Sequence, residues 1–177
     1  MKIVITGFMG SGKTRIAREL ARHLSIPMVD LDERITEREG RSPAQLINDE
    51  GEEAFRVIES DVLRELLEDD SARVIALGGG AWIQEVNRNL IDAHGCVSVW
   101  LDVPFEVCWA RIETSSEDRP LGRTKEQALI LYESRKPIYQ LASIHIPMRD
   151  ENLDVVVDRI TGLAGFKLFN PANPEKS

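Results

Sequence analysis

Cysteine is scarce in this chain, which has two among 177 residues. Cys96 and Cys108 show no spacing typical of a metal site. The sequence also lacks an apolar run long enough to cross a bilayer, and it lacks a charged-then-apolar leader at its start. We therefore expect a cytoplasmic protein with no membrane partner, in which both thiols are buried rather than joined in a disulfide.

Positive charge is in the minority, because 22 Lys and Arg residues face 30 Asp and Glu residues and the formal net charge is -8. Binding to a phosphate backbone needs a concentrated basic surface, so nucleic acid is not expected as a partner. A hydrophobic share of 42% and a charged share of 29% exclude a disordered or fibrous chain. The length fits one domain, which we place at residues 1–164, followed by a loose C-terminal tail at 165–177.

Short apolar runs rich in β-branched residues alternate with helical patterns. The runs lie at residues 2–6, 27–31, 73–77, 97–101 and 144–147. The helical patterns lie at residues 13–24, 33–39, 43–67, 83–93, 104–113, 125–142 and 153–164. This alternation predicts an α/β fold with a parallel sheet covered on both faces, whose ligands lie beyond the carboxyl ends of the strands. Asp102 is expected to cap the helix that starts near Pro104.

The most informative motif is the octet Gly-Phe-Met-Gly-Ser-Gly-Lys-Thr at residues 7–14. It follows the first apolar run and opens the first helical pattern, the setting in which G-x-x-x-x-G-K-T binds nucleotide phosphates. Glycines let the backbone curl around an anion, and the N–H groups of the helix start point at it. Lys13 is expected to bridge the β- and γ-phosphates of a nucleoside triphosphate, and the Thr14 hydroxyl to ligate Mg²⁺.

Two carboxylates, Asp30 and Asp32, follow the second apolar run. A P-loop needs an acid near its Mg²⁺, and strand alternation predicts both carboxylates on the same face at the strand's carboxyl end. One of them would hold the metal's water shell, and the other would face the molecule that accepts a phosphoryl group. The alternative is that Asp32 caps a helix beginning at Glu33, which leaves Asp30 without a role.

Three consecutive glycines, Gly78, Gly79 and Gly80, follow the third apolar run. Glycines at the place where a ligand should lie suggest close approach of the backbone to a small molecule. A plain turn between a strand and a helix is the alternative, although such a turn needs only about one glycine.

Three arginines complete the candidate site: Arg56 and Arg135 in helical patterns, and Arg119 in the polar segment 113–124. This segment interrupts the helical patterns and is a candidate lid. A single arginine on a helix is more often a solvated charge than a ligand. Guanidinium groups nonetheless bind carboxylates and phosphates bidentately, so three of them near the Asp pair would form an anion-binding kinase site.

In the order and approximate spacing of these motifs, the chain resembles the shikimate kinase family from about residue 2 to residue 160. The resemblance rests on the P-loop octet, Asp30-x-Asp32, Gly51-Glu52-x-x-Phe55-Arg56-x-x-Glu59, Gly78-Gly79-Gly80, Arg119-Pro120-Leu121 and Arg135-x-Pro137-x-Tyr139. It implies a three-layer α/β/α P-loop kinase with a five-stranded parallel sheet, a lid near 113–124 and an acceptor-binding helical segment near 32–60. It also implies a monomer.

The resemblance implies ATP-dependent phosphorylation of the 3-hydroxyl of shikimate in aromatic amino acid biosynthesis, with ATP as co-substrate and Mg²⁺ as cofactor. The residues it assigns to shikimate are Asp32, Arg56, Gly78, Gly79, Gly80 and Arg135. Those it assigns to the nucleotide are Gly10, Ser11, Gly12, Lys13, Thr14, Arg111, Arg119 and Arg149. Thr14 and, through water, Asp30 would hold Mg²⁺. Lys13, Asp32 and Arg119 would be the catalytic residues.

Two other readings of the same motifs are open at this point. In the first, the chain phosphorylates gluconate or a nucleoside monophosphate, although the glycines and the pair Arg56 and Arg135 suit a compact carboxylate better. In the second, the chain is a switch protein that hydrolyses its nucleotide to change partners. The sequence has no guanine-reading Asn-Lys-x-Asp segment, which disfavours the switch.

Overall fold

Five short strands form one parallel sheet in the order β2-β3-β1-β4-β5. The computed structural model describes residues 1–69, 71–115, 124–148 and 152–165. The strands are β1 (Ile3–Thr6), β2 (Met28–Asp30), β3 (Val74–Ala76), β4 (Val97–Asp102) and β5 (Ile144–Pro147). In this register Ile5 pairs with Ala76 on one side and with Val99 on the other. The carboxyl ends of all five strands therefore meet at one edge of the sheet.

Eight helices occupy the described part of the chain. They are α1 (Lys13–Leu24), α2 (Leu31–Glu39), α3 (Pro43–Glu50), α4 (Glu52–Glu68), α5 (Glu85–Ala93), α6 (Phe105–Glu113), α7 (Lys125–Tyr139) and α8 (Leu153–Leu163). A 3-10 turn at Ala81–Ile83 precedes α5. Within the described ranges no helix is both long and apolar enough to span a membrane.

The sheet is covered on both faces, since three successive β1 residues, Ile3, Val4 and Ile5, are fully buried. Neighbouring side chains on a strand point to opposite faces, so such a run needs helices on each side. Cys96 and Cys108 are also buried and form no disulfide, and burial raises the pKa of the Cys108 thiol to about 11. The predicted α/β class, the parallel sheet and the free thiols are confirmed.

Two predicted helix boundaries are wrong. The pattern at 43–67 is two helices rather than one, because Gly51 has a φ of 92° and separates α3 from α4. Asp102 does not cap α6, whose N-cap residue is Pro104. Asp102 instead ends β4, and its Oδ2 lies 3.0 Å from His145 Nε2 on the neighbouring strand β5.

Candidate active site

The P-loop octet joins β1 to α1 at the carboxyl edge of the sheet, as the sequence predicts. Gly10 has a φ of 75° and Gly12 a φ of 88°, backbone values that favour glycine. A Cβ at Gly10 would also lie 2.6 Å from the carbonyl oxygen of Cys108. The loop can therefore lie this close to α6 only with glycine at this position.

The first turn of α1 carries no acidic side chain and begins with the loop's lysine. The N–H groups of a helix's first turn and its positive dipole end can bind an anion. Lys13 Nζ donates to the Phe8 carbonyl at 3.0 Å, so the ammonium lies over the loop. Ser11, whose side-chain oxygen is buried without a hydrogen-bond partner, lies inside the loop with its N–H donating to Phe8 at 3.1 Å.

Asp30 links the P-loop to α2. Its Oδ2 accepts a hydrogen bond from Thr14 Oγ1 at 2.6 Å. Its Oδ1 accepts from the backbone N–H groups of Asp32 at 3.0 Å and Glu33 at 3.5 Å, so Asp30 is the N-cap of α2. The alternative assignment of the cap to Asp32 is wrong. The strand-alternation argument is also wrong, because β2 ends at Asp30 and Asp32 lies in the first helical turn.

Asp32 faces the glycine turn that follows β3. A Cβ built on Gly78 would lie 2.5 Å from Asp32 Oδ1 and 3.3 Å from Glu59 Oε1. The carboxylate of Asp32 therefore occupies the space that any other residue at position 78 would fill. This places Asp32 beside the turn that follows the carboxyl end of β3.

Arg56 extends from α4 into the same region. Its Nη1 donates to both carboxylate oxygens of Glu59, at 3.0 and 2.8 Å, and its Nη2 donates to Glu52 at 2.8 Å. A Cβ on Gly80 would lie 2.8 Å from Arg56 Cζ. Burial alone would lower the pKa of Arg56, but the carboxylates of Glu59 and Glu52 outweigh this effect, and the pKa is raised above its usual value.

Arg135 reaches the glycine turn from α7. Its Nη1 donates to the Gly79 carbonyl at 3.2 Å, and the Tyr139 hydroxyl donates to the same oxygen at 2.5 Å. Arg135 is buried, which is unusual for arginine unless the charge is paired or awaits an anion. Burial raises the pKa of Tyr139 to about 12, so this hydroxyl stays protonated and keeps donating at neutral pH.

Two of the three glycines, Gly78 and Gly80, therefore make room for the chain's own side chains. Asp32 lies against Gly78 and Arg56 against Gly80. The Gly79 carbonyl anchors Arg135. Close approach of a ligand to these glycines stays a prediction, whereas the structure shows close approach of the chain's own side chains at Gly78 and Gly80.

A cavity of about 780 Å³ lies between the P-loop and this region. Its lining includes Gly10, Gly12, Lys13, Thr14, Asp30, Asp32 and Gly79. A second cavity of about 820 Å³ opens between α2 and α3 and shares Asp32 with the first. Asp32 and Glu33 thus line both cavities. The structure brings these predicted residues together, with Arg56 and Arg135 adjoining through Gly78, Gly79 and Gly80.

Of the three arginines predicted to bind the nucleotide, the structure describes Arg111. Arg111 Nη1 donates to the Gly10 carbonyl at 3.0 Å, so its guanidinium lies across the outside of the P-loop. Arg119 and Arg149 lie outside the described residues, as does most of the predicted lid. Their assignments remain predictions. The predicted tail lies outside the described residues after Gly165.

Sequence reasoning assigned no role to Glu59, Tyr139 or Trp82, which all hold the site in place. Trp82 Nε1 donates to the Ile138 carbonyl at 2.9 Å, tying the turn after the glycines to α7. A signal for Glu59 exists in the sequence, because it shares one face of α4 with the buried Phe55 and Val62. A lone acid on an apolar helix face indicates a buried partner.

The strand order, the P-loop between β1 and α1 and the arginines beside it are those of a P-loop kinase. The shikimate kinase family model matches residues 9–163. The shikimate kinase of Aquifex aeolicus is 36% identical over 168 residues, covering 95% of this chain and 99% of that relative. That of Ruegeria pomeroyi is 38% identical over 162 residues, covering 89% and 82% of the two chains.

A solved structure supports the same family. The structure of the Acinetobacter baumannii shikimate kinase in complex with shikimate has a TM-score of 0.84 and 30% identity, and the match covers 94% of each chain. The chain belongs to the shikimate kinase family.

Proposed function

We propose that this chain transfers the γ-phosphoryl group of ATP to the 3-hydroxyl of shikimate, producing shikimate 3-phosphate for aromatic amino acid biosynthesis. The observation that carries the proposal is the meeting of a P-loop, the buried Arg135 and the partly buried Arg56 at one glycine turn. Lys13 and Gly79 line the same cavity, and Arg135 binds the Gly79 carbonyl. A phosphoryl donor site thus adjoins a site for a carboxylate.

The donor half of the site fits Mg²⁺ and a triphosphate. Thr14 Oγ1 and Asp30 Oδ2 are 2.6 Å apart, and both are oxygen ligands of the kind that Mg²⁺ takes. They would hold the ion, Thr14 directly and Asp30 through water. When bound, Mg²⁺ supplies positive charge that offsets the charge of the phosphates. The N–H groups of residues 10–14 would bind the β- and γ-phosphates, with Arg111 and Arg149 beside the base.

The acceptor half of the site is built for one negative charge. Arg56 and Arg135 are both largely buried, with side-chain exposure of 12% for Arg56, and the charges that face them include Glu59 and Asp32. A shikimate carboxylate bound between the two guanidinium groups would recover the cost of burying them. Gluconate and AMP fit less well, because the compact turn at Gly79 favours a small rigid ring over a chain or a nucleotide.

Asp32 would act on the acceptor hydroxyl. Phosphoryl transfer through a loose transition state depends mainly on positioning and on neutralising charge. The Asp32 carboxylate would accept a hydrogen bond from the 3-hydroxyl and take its proton late in the reaction. Lys13, and Arg119 from the lid, would neutralise the charge on the transferring group.

The proposal extends to the organisation of the chain. Residues 1–164 would form one kinase domain whose lid lies near 113–124 and whose acceptor-binding segment lies near 32–60. The protein would act as a monomer in the cytoplasm, with ATP and shikimate as its small-molecule partners. Sedimentation at the concentrations used for activity measurements tests the monomer.

A coupled assay of ADP release with Mg²⁺ and ATP tests the function directly. Purified protein is given shikimate, gluconate or AMP in turn, and the phosphorylated product is identified by mass and ³¹P spectra. We expect turnover with shikimate and at most about 1% of that kcat/KM with the other two, which corresponds to a difference of about 2.7 kcal/mol. ADP release at the same rate with and without each acceptor would favour a switch protein that hydrolyses its nucleotide. A higher kcat/KM with gluconate or AMP would reject shikimate as the acceptor.

Replacing Gly80 with alanine tests the contact between the glycine turn and Arg56. The added Cβ would overlap the guanidinium, so Arg56 must move away from the acceptor. We expect the KM for shikimate to rise about tenfold, equivalent to about 1.4 kcal/mol, while the KM for ATP stays within about twofold.

Gly162→Ala is the matched control, because a Cβ there meets no atom within 4 Å. It should leave both KM values unchanged. If Gly80→Ala raised both KM values equally, the turn would shape the whole site rather than hold Arg56.

A further inference from the structure

Arg15 directly follows the P-loop octet and lies in the first turn of α1. The same turn contains Lys13 and has no acidic side chain. The first turn of a helix is the positive end of its dipole, where an anion stabilises the helix and a cation destabilises it. A departure from such a local rule is expected at functional sites. The place of Arg15 therefore indicates a functional role rather than a structural one.

Arg15 also lines the cavity of about 780 Å³ whose wall includes Lys13 and Thr14. Side chains on a helix lean toward the N-terminal end of that helix. From the first turn of α1, this direction leads back toward the phosphate-binding loop. Arg15 is thus part of the wall that holds the loop, although the residue itself is exposed.

Two further arginines of α1, Arg18 and Arg22, line the same cavity, and both have acidic partners. Arg18 Nη2 donates to Glu33 Oε1 at 2.6 Å. Arg22 Nε donates to Glu19 Oε1 at 3.0 Å, and its Nη2 donates to the same oxygen. The charges of these two arginines are therefore offset by side chains of the protein.

Arg15 forms no hydrogen bond or ion pair with any residue that the structure describes. Glu19 lies four residues further along α1, the spacing of an ion pair on a helix, but its carboxylate binds Arg22. The carboxylate of Asp30 binds Thr14 and the start of α2. The guanidinium of Arg15 is therefore available to a ligand of this cavity.

The proposed donor site leaves one phosphate of the nucleotide without a partner. The N–H groups of residues 10–14 would bind the β- and γ-phosphates, and Arg111 would lie beside the base. The α-phosphate joins these two parts of the nucleotide. Arg15 is the next residue of α1 after those that bind the other phosphates, and a guanidinium binds phosphate oxygens bidentately.

We propose that Arg15 is a nucleotide-binding residue whose guanidinium binds the α-phosphate of ATP and of ADP. The inference rests on the proposed function, because it requires a nucleotide in the P-loop. The α-phosphate is not transferred, so Arg15 contacts it equally in the ground state and in the transition state. Such uniform binding lowers the KM for ATP and leaves kcat unchanged. It also strengthens the binding of the product ADP.

Arg15→Gln tests the inference, with Arg18→Gln as the matched control. Both changes remove one positive charge from exposed positions of α1 that line the same cavity, so neither should prevent folding. For Arg15→Gln we expect the Kd of ATP and of ADP, measured by titration calorimetry, to rise about tenfold, equivalent to about 1.4 kcal/mol. The kcat and the KM for shikimate should stay within about twofold of wild type. Arg18→Gln should keep both Kd values within about twofold, because Arg18 pairs with Glu33.

Sulfur substitution in ADP identifies the phosphate that Arg15 binds. The Kd is measured without Mg²⁺, so that the preference of the metal for oxygen does not contribute. Sulfur accepts a hydrogen bond less well than oxygen does. In wild type we therefore expect sulfur on the α-phosphorus to raise the Kd at least about threefold for one of the two diastereomers. Arg15→Gln should lose this penalty, whereas sulfur on the β-phosphorus should have the same effect in both proteins.

Three results would overturn the proposal. Equal Kd values for Arg15→Gln and Arg18→Gln would leave Arg15 as a solvated charge. A penalty for sulfur on the α-phosphorus that persisted in Arg15→Gln would assign that phosphate to other groups. A fall in kcat with unchanged ADP affinity would place Arg15 at the transferring γ-phosphate instead.

The proposed function and this inference fail differently. If neither ATP nor ADP bound to the wild-type protein, both would be rejected. If shikimate were phosphorylated and Arg15→Gln bound both nucleotides like wild type, the function would stand and the inference would be wrong. If Arg15→Gln weakened both nucleotides but gluconate were the preferred acceptor, only the assignment of shikimate would be rejected.

Discussion

Lys13→Met is expected to lower kcat about a thousandfold while the fold remains intact. A single donor that stabilises developing charge in a transition state is worth about 10²- to 10³-fold in rate. Lys13 begins α1, and its Nζ lies 3.0 Å from the Phe8 carbonyl over the phosphate-binding loop. Methionine keeps the length of the stem and removes the charge. The loss should therefore fall on phosphoryl transfer rather than on packing.

Single-turnover rates and the thermal midpoint of unfolding separate these effects. We expect the midpoint of the variant to stay within about 2 °C of wild type, since surface changes alter stability by only about 0.5 kcal/mol. Lys125→Met is the control, because Lys125 is exposed and pairs with Glu106 at 2.7 Å on α6. If the two variants had equal rates, Lys13 would have no part in the transfer.

The sequence predicts the sheet and the phosphate site well, for a local reason. Each of the five apolar runs became a strand within about one residue because continuous β-branched runs suit a buried parallel sheet. The octet carries its own conformation in Gly10 and Gly12. Properties that depend on a few neighbouring residues can be predicted from the sequence without knowledge of the tertiary structure.

The boundary at Gly51 was missed because the helical period continues through it. The apolar spacing on both sides fits one long helix, and only the φ of 92° breaks it. A glycine inside a helical pattern costs only about 1 kcal/mol, so the pattern alone does not require a break. The break at Gly51 also determines where α4 begins, and in that helix Arg56 and Glu59 face the glycine turn.

The pairing inside the acceptor region depends on tertiary structure. Arg56 and Glu59 are one helical turn apart, and an ion pair between them follows from spacing. Their burial does not, because it depends on where α2, α4 and α7 meet around the glycines.

Asp32→Asn is expected to lower kcat by about 10²- to 10⁴-fold, the range for loss of a positioned acid or base. The amide is nearly the same size, so the space beside Gly78 stays filled. Asp30 keeps its contacts with Thr14 and with the start of α2. The affinity for ATP should therefore stay within about twofold, and the loss should appear in kcat with shikimate.

Asp61→Asn is the matched control for this prediction. Asp61 lies on α4, is 44% exposed and pairs only locally, with Arg64 at 2.7 Å. It should keep wild-type kcat. Equal rates for Asp32→Asn and the control would remove Asp32 from the chemistry and leave positioning by the arginines and Lys13. A fall in ATP affinity that matched the fall in kcat would place Asp32 in the metal and nucleotide half of the site. The expected split instead assigns the two neighbouring carboxylates to opposite substrates, because Asp30 bonds to the P-loop and Asp32 lies against the glycine turn at Gly78.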